Sequence, residues 1–172
     1  MRAASNFSSP NWRRRRFRNL QRIILFLATG AGAGYVPWAP GTAGTLIAIP
    51  LSLALNRLAG DSPALAVLTL AAFTVLAIWS ADKAEAVFGE KDCQKIVVDE
   101  IAGFMVASFA APARFAPLVA AFILFRFFDI IKPYPAKRAE RLPGGTGIVL
   151  DDVVAGLYSL LLVRLALAWN LL

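Results

Sequence analysis

The chain has 172 residues, of which 58% are hydrophobic and only 17% charged, with a mean hydropathy of +0.62 and a formal net charge of +7. A soluble domain of this length rarely holds so much apolar residue and so little charge, so the composition excludes an ordinary water-soluble domain and points to lipid. The absence of histidine and the single cysteine, Cys93, exclude His-based nucleophiles and bases, zinc sites built on His and Cys, and an internal disulfide.

Residues 1–22 form a basic amphipathic segment in which Arg2, Arg13, Arg14, Arg15, Arg16, Arg18 and Arg22 interleave with Trp12 and Phe17. It reads as a segment on the anionic cytoplasmic membrane surface, where each basic residue contributes about 1 kcal/mol. A nucleic-acid arm has the same look but rarely precedes a chain that is mostly apolar, so no nucleic-acid partner is expected. No small-residue cleavage site follows a compact apolar core, so the segment is expected to be retained.

Residues 23–56 carry no charge but are broken by glycine and proline. They read as a short apolar segment over 23–33, a Gly/Pro loop, and a helix over 44–58. The first piece would be only about 17 Å long as a helix, so it lies at the interface or re-enters without crossing. Residues 64–81 form an 18-residue uncharged run, and 153–172 a 20-residue run interrupted only by Arg164. Both read as spans, since a crossing helix needs about 20 apolar residues.

Residues 101–128 fit either one long span or two helices, over 98–111 and 116–129, joined at Ala111-Pro112-Ala113-Arg114. Pro112 and Pro117, with an arginine between them, favour the hairpin. Each arm would reach about 20 Å, less than a hydrocarbon core, and would sit in a thinned or wetted part of the bundle. The expected fold is therefore all-α, a polytopic membrane helix bundle of about five membrane-embedded helices plus the N-terminal segment, with residues 23–172 as a single domain.

Charge supports the hairpin independently. With a cytoplasmic amino terminus it puts 15 of the 18 basic residues near the inner face, leaving only Arg57, Arg114 and Arg164 elsewhere. That asymmetry matches the positive-inside rule. Ten of the 11 acidic residues fall on the same side.

Asp99 and Glu100 open one predicted helix, and Asp151 and Asp152 another. Helix capping and the macrodipole favour acids there by about 0.3 to 1 kcal/mol, so either a cap or a metal site accounts for each pair. Asp129 differs, because it closes a helix, where the dipole disfavours negative charge. Its compensation is either an ion pair with Arg126, three residues earlier on the same face, or a metal shared with the other acids. Without histidine, such a site would take an oxygen-ligated Mg²⁺, Mn²⁺ or Ca²⁺.

Cations surround the acids. Arg126, Lys132, Lys137, Arg138 and Arg141 precede Gly144-Gly145-Thr146-Gly147, which is either a plain connector or a loop whose backbone N–H groups approach a phosphate. Pro40-Gly41-Thr42-Ala43-Gly44-Thr45 enters another helix and offers hydroxyls as well, unless Thr42 or Thr45 is simply a cap.

Together, Pro40-Gly41-Thr42-x-Gly44, Asp99-Glu100-x-x-Gly103, Phe125-Arg126-x-x-Asp129-x-x-Lys132-Pro133-x-Pro135 and Gly144-Gly145-x-Gly147-Ile148-x-x-Asp151-Asp152-x-x-Ala155-Gly156 resemble the phosphatidylglycerophosphatase A family. The blocks cover about residues 30–160 in the expected order, and the last two together are highly specific. Val98 stands where many members carry an aromatic residue, and Thr45 where a serine is common. The resemblance implies a Mg²⁺-dependent phosphoric monoester hydrolase of the bacterial inner membrane, multi-pass, with its active site cytoplasmic. It would convert phosphatidylglycerophosphate of the cytoplasmic leaflet to phosphatidylglycerol.

On that reading Asp99, Glu100, Asp129, Asp151 and Asp152 hold one or two Mg²⁺ ions that activate water. Asp99, Glu100, Asp129 and Asp152 are the catalytic candidates, Glu100 being preferred as base. Arg126, Lys132, Thr42, Thr45, Gly144 and Gly145 would hold phosphate. The rival is a small divalent-cation carrier or channel with a carboxylate-lined mouth, which the neighbouring cations disfavour.

Overall fold

The computed structural model describes residues 11–172, with side chains from Arg18 onward. The expected lipid-surface role of residues 1–22 therefore falls largely outside the described residues. All elements described are helical: α1 (Asn11–Ala28), a 3₁₀ turn (Ala33–Tyr35), α2 (Pro40–Asp61), α3 (Pro63–Phe88), α4 (Val98–Ala107), α5 (Phe115–Ile131), α6 (Ala136–Ala139) and α7 (Gly145–Ala168).

Among the described helices, α2 and α3 are long and apolar enough to cross a membrane. At 22 and 26 residues they extend about 33 and 39 Å. Pro40 and Pro63 occupy first-turn positions, where the missing N–H costs nothing, and the Ser62 hydroxyl accepts from Leu65 N at the start of α3.

Side-chain size is distributed inside out. The core between helices is rich in alanine, including Ala48, Ala66, Ala77, Ala81, Ala102, Ala121 and Ala155, whereas large apolar residues point outward, as at Leu68 (66% exposed) and Val75 (67%). Water would penalise such a surface; lipid accepts it, and small residues let helices approach closely. Phe104 and Phe125 are the large exceptions, fully buried and stacked edge to face at 6.3 Å.

The hairpin is present. α4 and α5 are separate helices of 10 and 17 residues, joined by a turn that contains Pro112, with Pro117 in the first turn of α5. Their turn is held from α2 by Asn56, whose Nδ2 donates to Ser108 O (2.8 Å) and Ala111 O (3.3 Å) and whose Oδ1 accepts from Ala110 N (2.7 Å). Arg164 of α7 adds a bond to Phe109 O at 3.2 Å. The turn after this helix of about 15 Å thus has Ser108 O, Phe109 O, Ala111 O and Ala110 N satisfied by side chains of α2 and α7.

Three boundaries differ from the sequence expectation. α1 runs unbroken through residue 22 and ends at Ala28, so the described part of the basic segment, from Asn11, and the apolar stretch after it share one helix. α2 begins at Pro40 rather than residue 44, which makes Gly41 and Thr42 its first turn instead of a loop. α7 begins at Gly145, so Asp151 and Asp152 lie inside the helix rather than at its start. Capping therefore does not account for that pair.

Candidate active site

The carboxylates meet because two glycines let α4 and α7 touch. Gly103 follows Asp99 by four residues and Gly156 follows Asp152 by four, so each acid and its glycine share a helix face one turn apart. A Cβ on Gly156 would collide with Gly103 O, and one on Gly103 would lie 2.7 Å from Asp152 O. With the backbones in contact at the glycines, the acids one turn nearer the amino termini face each other. Gly41 does the same for α2, since a Cβ there would strike Glu100 Oε1.

The result is a cavity of ≈ 420 Å³ lined by Asp99, Glu100, Asp129, Asp151 and Asp152 together with Arg126, Lys132, Gly41 and Thr42. α2 and α4 bring their amino-terminal turns to it, whereas α7 contributes Ile148, Asp151 and Asp152 from further along the helix. Aligned peptide dipoles there favour an anion or acidic side chains. Only α5 presents its carboxyl-terminal end, and it brings Arg126, Asp129 and Lys132.

The five acids divide into two kinds. Asp99, Glu100 and Asp152 each offer a carboxylate oxygen, all within 4.8 Å of one another. Asp99 Oδ1, Glu100 Oε2 and Asp152 Oδ2 are buried with no hydrogen-bond partner. Asp129 and Asp151, in contrast, are held by cations: Arg126 Nη1 bonds Asp129 Oδ2 at 2.6 Å, and Lys132 Nζ bonds Asp151 Oδ2 at 2.6 Å. Arg126 also approaches Glu100 Oε1 at 3.8 Å, and Lys132 bonds Glu140 Oε1 at 3.1 Å.

Lys132 sits at the carboxyl-terminal cap of α5 in the left-handed region, φ 47°. That backbone costs an L-residue about 1 to 2 kcal/mol, and the paired ammonium holds it in place. Burial disfavours the charged form, but hydrogen bonds and charge from Asp151 and Glu140 outweigh it and raise the Lys132 pKa above its ordinary value.

The remaining sequence candidates fall elsewhere. Thr45 is fully buried and donates its hydroxyl to Gly41 O at 2.8 Å, inside α2. Gly144 and Gly145 lie against α3, where a Cβ would meet Asp82 Oδ1 and Ile78 O respectively. Gly145 is thus a packing position, and Gly144 borders a neighbouring hollow.

Sequence reasoning missed the α3–α4 connector, which contributes Asp92, Cys93, Gln94 and Ile96 to the cavity wall. Its one signal was a charged break between two apolar runs. Trp38, at the rim and 94% exposed, also escaped notice, although an aromatic residue ahead of a Pro-Gly helix start fits an interfacial anchor.

The family model described as Phosphatidylglycerophosphatase A matches residues 26–167, which contain every acid of the cavity. A Bacteroides thetaiotaomicron protein named "Putative phosphatidylinositol-3-phosphatase" is 40% identical over 153 residues, 84% of this chain and 93% of its own length. Proteins named Phosphatidylglycerophosphatase A from Haemophilus influenzae and Escherichia coli are 38% identical over 155 residues and 35% over 135. These alignments cover 89% and 77% of this chain, and 94% and 77% of the relatives. No solved structure matches the chain.

Proposed function

The chain belongs to the phosphatidylglycerophosphatase A family, and from that membership we propose that it is a membrane-associated lipid phosphatase that hydrolyses phosphatidylglycerophosphate to phosphatidylglycerol and phosphate. The observation that carries the mechanism is the set of three buried carboxylate oxygens without partners, on residues whose donor atoms lie within 4.8 Å of one another.

Three acids in so small a space repel one another, and their all-oxygen donor set suits a hard divalent cation. Asp99, Glu100 and Asp152 would hold it, with Asp129 and Asp151 beside them. Bound there, Mg²⁺ supplies phosphate polarisation and an acidified water for in-line attack.

The chain's own residues do the rest. Arg126 and Lys132 present charged donors at the cavity wall, where phosphoryl oxygens gather negative charge. Asp129 and Asp151 fix the orientation of those two cations. Thr42 and the first turn of α2 add hydroxyl and backbone donors beside them, a Cβ on Gly41 lying 2.9 Å from Arg126 Nη1. Glu100, the one glutamate of the cavity, would take the proton of the attacking water through a carboxylate oxygen that does not hold the cation.

The finer placement belongs to the same proposal. α4, α5 and α7 are embedded beside α2 and α3, giving five membrane helices in the bacterial inner membrane, with the cavity facing the cytoplasm. The outward apolar residues of α5 and α7, among them Ile123, Phe127, Leu157 and Leu161, support embedding. No observation favours the cation-carrier reading, because Arg126 and Lys132 stand where a permeating cation would pass.

A relative named for a phosphoinositide makes the headgroup alcohol the open variable. Phosphate release by purified protein from phosphatidylglycerophosphate and from phosphatidylinositol 3-phosphate tests it. Faster release from the first is expected; preference for the second would reassign the substrate while keeping the chemistry.

A further inference from the structure

Three hollows lie side by side at the site end of the molecule and share walls. The carboxylate cavity and a second hollow of ≈ 370 Å³ have Asp92, Ile148 and Asp151 in common. That hollow in turn shares Arg141 and Leu142 with a third, of ≈ 470 Å³, lined by Tyr134, Lys137, Arg138, Arg141 and Leu142. The track thus runs from a strongly acidic end to a purely basic one.

The basic end is uncompensated. Lys137, Arg138 and Arg141 are exposed and form no ion pair among the described residues. The nearest acid in sequence, Glu140, is taken by Lys132. Like charges crowded around one hollow repel, and an anion seated there relieves them. The surroundings state which kind of anion. Tyr134, which lines the hollow, is 73% exposed, and Ile130 (72%) and Ile131 at the end of α5 just before it in the chain are exposed as well, so large apolar side chains free to meet acyl chains accompany the basic residues.

Phosphatidylglycerophosphate carries two phosphates, the monoester that is cleaved and the diester that joins the headgroup to diacylglycerol. We propose that the basic hollow is the subsite for the diester, with Arg141, at the junction of the second and third hollows, as its principal donor. The inference rests on the reading that the carboxylate cavity takes the monoester. Arginine suits the task because its planar fork matches two phosphate oxygens and stays charged. The subsite requires a phospholipid diester but not a particular headgroup alcohol. It therefore selects phospholipids with a phosphorylated headgroup over soluble phosphomonoesters.

The test is steady-state kinetics in neutral-detergent micelles with two competitive inhibitors, inorganic phosphate for the cavity and phosphatidylglycerol for the diester subsite. In Arg141→Ala, KM for phosphatidylglycerophosphate and Ki for phosphatidylglycerol should each rise at least about tenfold, about 1.4 kcal/mol. Its kcat and the Ki of inorganic phosphate should stay within about twofold, since the chemical step is untouched. Arg141→Lys should recover part of the loss, and Lys137→Ala should shift the same two constants by less.

Unchanged KM and phosphatidylglycerol Ki would overturn the proposal. So would an equal rise in the Ki of inorganic phosphate, which would make Arg141 a source of general field only. Wild-type protein inert on the lipid would instead overturn the phosphatase reading beneath it.

Discussion

Asp152 has its carboxylate buried inside α7, two helical turns from the start, with one oxygen lacking any donor. A buried polar atom left unpaired costs about 1 to 3 kcal/mol, and more when charged. On the proposed reading, three such oxygens, of Asp99, Glu100 and Asp152, take a divalent cation. A ligand that binds only the folded state at about 100 times its Kd adds about 2.7 kcal/mol. Mg²⁺ should therefore raise the Tm of the purified protein in a thermal melt, and Asp152→Asn should abolish that rise. Lys132→Gly separates fold from chemistry. Glycine accepts the left-handed cap without strain, so the Tm should fall by less than for Lys132→Ala, while kcat falls at least about 10²-fold in both. Equal melting losses for the two variants would remove backbone strain from the explanation. Both acidic pairs and Asp129 were visible as candidates because charge is conspicuous in apolar sequence. Their division was not, since which acid faces a cation depends on α5 and α7 meeting across 19 residues, as Lys132 and Asp151 do.

At the scale of helices, the site depends on backbone contact between α4 and α7. Gly156→Ala inserts a Cβ against Gly103 O, a contact that only a helix shift relieves. Overpacking of this kind costs about 1 to 3 kcal/mol, and here the shift also separates Asp99 from Asp152. Phosphate release should drop more steeply than stability, as read by parallel melts and assays. Asn56→Ala should destabilise by about 1 to 3 kcal/mol through the unsatisfied turn carbonyls, with KM unchanged if folded protein is recovered. The hairpin was legible in sequence from Pro112 and Pro117. The start of α7 was not: Gly144-Gly145-Thr146-Gly147 reads as a loop by propensity, yet Gly145 and Gly147 are helical because only glycine fits against Ile78 O and Leu142 O. Tertiary packing overrides the intrinsic cost of about 1 kcal/mol per glycine.

For the whole molecule, all the acids of the site and most of its cations collect at one end, while Asn56, Asp61 and the α4–α5 turn mark the other. Cys93 is the chain's single cysteine, so in a Cys93→Ser background new cysteines report side alone. In inverted and right-side-out vesicles, Lys83→Cys and Arg138→Cys should label with a membrane-impermeant maleimide from the cytoplasmic side, and Asp61→Cys from the opposite one. Labelling of all three from one side would contradict the crossing of α2 and α3. An all-helical membrane fold was legible from composition. The spans were less legible: the run over 153–172 belongs to a helix that starts at Gly145 and takes in Asp151 and Asp152, and among the described helices only α2 and α3 are long and apolar enough to cross.

The most direct measurement is phosphate release from phosphatidylglycerophosphate by the purified wild type and Asp152→Asn, each with Mg²⁺ and with excess chelator. The wild type should release phosphate only with Mg²⁺, and the folded variant should be slower by at least about 10²-fold, about 2.7 kcal/mol of transition-state stabilisation. Release that persists in chelator and survives Asp152→Asn would show that the three unpartnered carboxylates are not where the reaction takes place.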